Sequence, residues 1–341
     1  RPGPPLFHDR LLSRRPCSVL PVSERAKVVI LRELLPAGRG LLEEQFEVNS
    51  LGLAASRADL LVAARGADAL VSDLTFAVDG ELLDAAGPQL QVVANFGVGY
   101  DNVDLAACAE REVAVTNTPD ALTNATAELA LALAMAAARD LPRAERDLRE
   151  GTWQGWDPRR WRGFELSDAT IGVVGAGRIG SRFMELVSGF RGHRLYTSRQ
   201  RKSMLEEKLG ARQVELDELL ELSDLVSLHL PGGPDTYHLI DRRALGLMKP
   251  TAVLVNTGRG TLVDSMALAE ALEEGRIGAA GLDVFEGEPV VPRELLEAPR
   301  VALAPHIGSA TFSSRDEMAR IVAANVTAVL EGRDPPNRVT A

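Results

Sequence analysis

Three polar side chains follow apolar runs in the second half of the chain: Arg259 after "AVLVN", Glu288 after "AAGLDVF" by way of "FEGEP", and His306 after "VALAP". Runs of this kind suit strands buried on both faces of a parallel sheet. The carboxyl ends of such strands open on one ligand crevice. A guanidinium, a carboxylate and an imidazole meeting there have the parts needed to reduce a 2-oxo acid. The imidazole, held by the carboxylate, donates a proton to the carbonyl oxygen near neutral pH. The guanidinium grips the substrate carboxylate and stabilises charge developing on the carbonyl oxygen. Taken singly, each residue has a plainer reading: a surface ion pair, an exposed loop acid, a structural histidine. Of the five histidines only His306 combines a strand end with two such neighbours. His8 lies in a proline-rich leader, His193 opens an apolar run, His229 sits within one, and His238 follows the loop sequence "PGGPDTY".

A hydride donor is indicated by "ATIGVVGAGRIGSRF", where Gly175, Gly177 and Gly180 form G-x-G-x-x-G between a strand and a helix, with Arg178 and Ile179 inside the turn. The first glycine permits the tight turn, the second admits a pyrophosphate against the backbone, and the third lets helix and strand pack closely. The helix amino end then faces the phosphates. About 20 residues further on, where an NAD-binding protein usually places an acid for the ribose, the chain reads "LYTSRQRKS". Ser198, Arg199, Arg201 and Lys202 gather there, so NADPH is favoured, NADH remaining possible. The plainer reading is a solvated basic loop. A second glycine loop, "ANFGVGYDNVD", lets the amides of Val98 and Gly99 point inward as a carboxylate nest, or forms a flexible turn. Beside Arg259, the small, uncharged Thr257 and Gly258 let backbone approach a ligand closely.

The elements that must carry these groups follow a βα rhythm. A first series of apolar runs, "KVVIL", "ADALVS", "LQVVANF" and "EVAVTN", is followed by a second: "ATIGVVG", "HRLYT", "SDLVSLHL", "TAVLVN", "AAGLDVF" and "RVALAP". Helical segments lie between them, so an α/β fold with two parallel sheets is expected. Residues 124–153 read as a long helix joining the two halves, with Asn124 as its cap. Residues 312–331 read as an amphipathic helix with Met318, Ile321, Val322, Val326, Val329 and Leu330 on one side, returning to the first sheet. The expected units are 26–120 plus 307–335 for substrate, and 121–306 for the dinucleotide.

A length of 341 residues and 45% hydrophobic content allow two domains with substantial cores. A formal charge of -10 disfavours nucleic acid and anionic membranes as partners. Cys17 and Cys108 make neither a disulfide framework nor a zinc spacing, so no metal is expected and a reducing cytoplasm fits. The apolar stretch 128–138 is too short to span a membrane. Residues 1–25 read as a disordered extension, with a targeting segment as the alternative.

The motifs "FGVGYDNVD", "TAELALAL", "GVVGAGRIG", "LVNTGRGTLVD", "AAGLDVFEGEP" and "LAPHIGSAT", in that order, resemble the D-2-hydroxyacid dehydrogenases and in particular the glyoxylate/hydroxypyruvate reductases. The resemblance runs from about Lys27 to Arg333. It implies two doubly wound domains, flavodoxin-like for substrate and Rossmann for cofactor, which close over a cleft. It implies Arg259, Glu288 and His306 as catalytic residues, and Val98 and Gly99 as the substrate-carboxylate loop. Thr126, Pro231, Thr257, Gly258, Asp283, His306 and Gly308 are expected near the cofactor, with Asp264 and Asp283 also supporting the site. It further implies a homodimer with an arm at about 139–166, from which Trp156 reaches the partner's site, Trp153 and Trp161 being rivals. Gly232 and Gly233 depart from the leucine and threonine frequent in relatives. A phosphoglycerate dehydrogenase, a formate or phosphite dehydrogenase, or a nucleotide-sensing corepressor remain alternatives to a glyoxylate or hydroxypyruvate reductase.

Overall fold

The computed structural model describes residues 25–340, so the expectations for the leader, with His8 and Cys17, lie outside the described residues. Among the described residues, twelve strands build two sheets. In the first, β1 (Lys27–Ile30), β2 (Glu47–Ser50), β3 (Ala69–Ser72), β4 (Val92–Asn95) and β5 (Ala114–Thr116) are ordered β2-β1-β3-β4-β5, all parallel. This is the flavodoxin-like order. In the second, β6 (Ile171–Val174), β7 (Arg194–Thr197), β8 (Arg212–Gln213), β9 (Leu225–Leu228), β10 (Val253–Asn256), β11 (Ala279–Leu282) and β12 (Val301–Leu303) are ordered β12-β11-β10-β9-β6-β7-β8. Counted from β6, that is the Rossmann arrangement with one strand added, again all parallel.

The strands read as apolar runs are buried because helices cover both sheet faces; every residue of β3, β4, β6, β9, β10 and β11 is inaccessible. Each fully buried Leu or Ile among them, such as Leu70 or Ile171, contributes roughly 1.5–3 kcal/mol. Two strands do not announce themselves in this way. Both β2 and β8 are edge strands of exposed or alternating residues, Glu47–Ser50 and Arg212–Gln213.

Helix Thr123–Ala138 lies against β10 and β11, so close that a Cβ on Gly281 would stand 2.9 Å from that of Leu133. Asn124 is not its cap. The N-cap is Leu122, without a side-chain bond, and Asn124 Oδ1 instead accepts from Arg182 Nε at 2.9 Å. A second helix, Leu141–Arg149, follows at once, so the single long helix expected over 124–153 is broken at Asp140, whose φ is 51°. The final helix, Phe312–Leu330, places Met318, Ala319, Val322, Ala323 and Val326 in contact with Val28, Ile30, Val71 and Val92 of the first sheet. Its Asn325 is buried and satisfied, donating to the Asn117 carbonyl at 3.2 Å and accepting from the Asn337 amide at 3.1 Å. Among the described residues no helix is long and apolar enough to cross a membrane, and no group of His, Cys, Asp or Glu could hold a metal ion.

Candidate active site

The carboxyl ends of both sheets face a cleft of about 890 Å³ lined by residues from each half of the chain. Arg259, Glu288 and His306 all open on it. His306 Nδ1 lies 2.7 Å from Glu288 Oε2, and the other oxygen of Glu288 accepts the Phe285 amide at 2.8 Å. Burial alone would raise the Glu288 carboxyl; the bonds from His306 and Phe285 outweigh it and hold the group below the usual carboxylate range. The imidazole is set by its backbone: its φ is 52° and its amide donates to the Asp283 carbonyl at 2.8 Å. Asp283 fixes the turn with both carboxylate oxygens, one on the Ile307 amide at 2.7 Å and one on the Gly308 amide at 2.8 Å. Burial pushes its carboxyl up in spite of these bonds. Thr126, buried at the start of helix Thr123–Ala138, donates to the Gly308 carbonyl at 3.1 Å, tying that helix to the same turn.

Arg259 brings in a residue that the strand-end pattern did not disclose. Its Nε donates to both oxygens of Asp101, at 2.9 and 3.1 Å, and a terminal nitrogen lies 2.9 Å from Oδ1. The other terminal nitrogen donates to the Gly258 carbonyl at 2.9 Å. Asp101 belongs to the "FGVGYDNVD" loop of the first sheet, 158 residues away. Burial would raise its carboxyl, and Arg259 overrides this to hold it low. A Cβ on Gly99 would overlap the Arg259 guanidinium, so a side chain there would push the guanidinium from its place on Asp101. The loop's carbonyls are occupied: Val98 accepts from Asn117 and Gly99 from Asn95, at 2.8 and 2.7 Å. The Val98 and Gly99 amides donate to no other group among the described residues.

At the other end of the cleft the glycine turn separates into three roles. Gly175 has φ 94°, and a Cβ on it would lie 2.8 Å from the His229 carbonyl. A Cβ on Gly180 would overlap the Gly175 carbonyl. Around Gly177 there is only open cleft, as an approaching pyrophosphate requires. Ile179 and Pro231 line the same space. Arg178, the first residue of helix Arg178–Leu186, pairs with Asp120 across the cleft at 2.8 Å. The Thr257 hydroxyl is buried without a partner among the described residues, a polar atom left for a ligand. These features fit a dinucleotide.

The remaining sequence assignments divide. Arg201 is occupied by Glu206, with Nε at 2.7 Å, and Glu206 also accepts from the Tyr196 hydroxyl at 2.8 Å. The Lys202 amide donates to that hydroxyl at 2.8 Å, and the Ser198 carbonyl accepts from Gln213 at 2.7 Å. Arg199 is exposed and forms no ion pair among the described residues. Asp264 does not line the cleft; its carboxylate caps Ser265–Glu273 through the Met266 and Ala267 amides. His229 is unsuited to proton donation, since burial pushes it down to about 3 and its Nδ1 is shielded and unpartnered. Gly232 lets its loop lie against the Arg259 stem, where a Cβ would stand 3.2 Å from Cγ; Gly233 takes φ 151°. Trp156 is 86% exposed, whereas Trp161 folds onto its own chain through Nε1 and Asp147, 2.8 Å apart.

The chain as a whole is similar to known proteins. Residues 131–308 match the family described as D-isomer specific 2-hydroxyacid dehydrogenase, NAD binding domain. The chain is 46% identical to the glyoxylate reductase of Thermococcus onnurineus over 321 residues, covering 92% of this chain and 96% of that protein. It is 45% identical to the glyoxylate reductase of Pyrococcus furiosus, with 92% and 95% covered. Among solved structures, the NADPH-dependent glyoxylate/hydroxypyruvate reductase of Sinorhizobium meliloti, in complex with NADP and malonate, superposes with a TM-score of 0.82 at 34% identity, covering 93% of this chain and 97% of that one.

Proposed function

This chain belongs to the D-isomer specific 2-hydroxyacid dehydrogenase family, and on that premise we propose that it reduces glyoxylate or hydroxypyruvate to the D-2-hydroxy acid. The observation that carries the reading is the 2.7 Å His306–Glu288 pair facing the same cleft as Arg259. Glu288 is a carboxylate at neutral pH and engages Nδ1, so Nε2 is the nitrogen left to hand a proton to the substrate oxygen. Arg259 has five N–H bonds. Asp101 and Gly258 engage Nε and one bond on each terminal nitrogen, which leaves one N–H on each for the substrate carboxylate and carbonyl oxygen. The Val98 and Gly99 amides receive the far side of the carboxylate. Gly177, Arg178 and Thr257 would hold the dinucleotide, which when bound supplies the hydride.

NADPH is the favoured cofactor, supported by the absence of an acid at the end of β7 and by Arg199, which has no ion pair among the described residues. Residues 26–120 with 307–335 act as the substrate unit and 121–306 as the dinucleotide unit. The arm at about 139–166 makes a homodimer, in which the exposed Trp156 reaches toward the partner's cleft. The test is NADPH oxidation with glyoxylate, hydroxypyruvate, pyruvate and phosphohydroxypyruvate. Turnover highest with the first two is expected. Tight NADPH binding without turnover of any of the four would instead indicate a nucleotide sensor.

A further inference from the structure

Glu286 and Glu288 stand two residues apart on the loop after β11, and each holds a histidine. Glu288 takes Nδ1 of His306 at 2.7 Å, and Glu286 takes Nε2 of His238 at 2.8 Å. The Tyr237 hydroxyl donates to the other oxygen of Glu286 at 2.9 Å, and its ring stacks on His238 with centroids 4.0 Å apart. Both histidines have left-handed backbones, φ 47° at His238 and 52° at His306. Residues with a Cβ keep that conformation only where the surroundings hold it. The His238 amide donates to the Thr261 carbonyl at 2.8 Å, anchoring it to the segment that follows Arg259. On the same side the loop presses on Gly260, where a Cβ would overlap the Phe285 and Glu286 backbone. The loop that aims Glu288 at His306 is thus braced against the Arg259 segment at two points.

We propose that His238 and Glu286, stacked and bonded by Tyr237, are positioning residues that fix the 285–289 loop so that Glu288 meets His306. A solvated surface pair would have little effect. This pair is only 27% and 33% exposed, and Glu286 stands two residues from Glu288, the proton donor's own partner. The inference rests on the reductase reading. Glu286→Ala and His238→Ala in the full chain, at saturating NADPH, are each expected to lose about 10- to 100-fold in kcat, the scale of a small misplacement of reacting groups. The double variant should lose no more than either single one, because they break one contact. Substrate KM, NADPH affinity and the thermal midpoint should stay near wild type. His238→Gln, whose amide N–H reaches for the same carboxylate, should restore most of the turnover. Should the alanine variants fail to fold, Tyr237→Phe decides: it keeps the stack, removes one bond to Glu286, and is expected to lower kcat about threefold with NADPH affinity unchanged. Wild-type kcat in the variants that fold, additive losses in the double variant, or losses matched by equal falls in NADPH affinity and thermal midpoint would overturn the proposal. A wild-type chain silent toward every 2-oxo acid overturns the reductase reading and this inference together; active wild type with indifferent variants overturns the inference alone.

Discussion

The two ends of the cleft are made of different material. At the end proposed to hold the phosphates the chain works with backbone: Gly175 turns, Gly180 packs, Gly177 leaves room, all within six consecutive residues. At the reacting end it works with charged side chains brought from far apart, Arg259 with Asp101 from the other sheet and His306 with Glu288 from 18 residues earlier. A site made from local backbone tolerates side-chain change and fails when a Cβ is added. A site made from distant charges fails when a partner is removed.

The largest expected effect is therefore at the reacting end. His306→Gln should lower kcat by about 10² to 10⁴, the usual contribution of an acid–base group, while NADPH affinity stays close to wild type. Arg259→Ala should fall by about 10² to 10³, as for loss of an oxyanion donor, and should in addition release Asp101. Unchanged turnover in the histidine variant would remove His306 as proton donor.

At the phosphate end the contrast lies between two glycines three residues apart. Gly180→Val has no space, because its first added atom overlaps the Gly175 carbonyl, and should destabilise the fold by about 1–3 kcal/mol, as overpacked cores do. Gly177→Val meets nothing in the protein, so it should keep the thermal midpoint and lose about tenfold or more in NADPH affinity. Calorimetry and nucleotide titration on the two variants separate these outcomes. Equal stability losses in both would mean that Gly177 does not face the ligand.

The same division governs how far the sequence could be read. The glycine turn and the buried strands are local patterns, so β10 and its neighbours were visible as apolar runs, and the strand ends pointed to Arg259, Glu288 and His306. Asp101 was not visible as a partner, because its guanidinium lies 158 residues away and only the closure of two sheets joins them. Neither was the brace at His238 and Glu286, although two acids spaced by two in "FEGEP" offered a signal. The edge strands β2 and β8 carry no buried run from which to be recognised. Asn124 shows the opposite error, plausible local chemistry redirected by a neighbour: its side-chain oxygen is taken by Arg182.

Between the extremes lies the proposed adenosine end, where a charged side chain is again expected to act, but at the surface. Arg201 is paired with Glu206, whereas Arg199 is exposed and has no ion pair among the described residues, which suits it to a 2′-phosphate. Arg199→Asp should weaken NADPH about tenfold more than NADH, within the range for loss and reversal of a phosphate contact. Equal losses for both nucleotides would show that the basic loop does not read the phosphate.

The smallest effect concerns stability and separates the two kinds of construction without any substrate. Glu288 and Asp101 are held below their usual range, so their contribution is present above the unfolded values of about 4.3 and 3.9 and is lost as pH falls through the lower folded values. Asp283, pushed up by burial, has the opposite sign: its contribution is present below about 3.9 and is lost as pH rises through its folded value. Glu288→Gln should consequently flatten the fall of the thermal midpoint between about pH 5 and pH 3, whereas Gly177→Val, which touches no titrating group, should shift nothing in that slope. Thermal scans across that range compare slopes, so any uniform cost of either substitution cancels. A Glu288→Gln slope identical to wild type would mean that the acid limb is set by surface carboxylates and that the reacting end stores no charge-dependent stability.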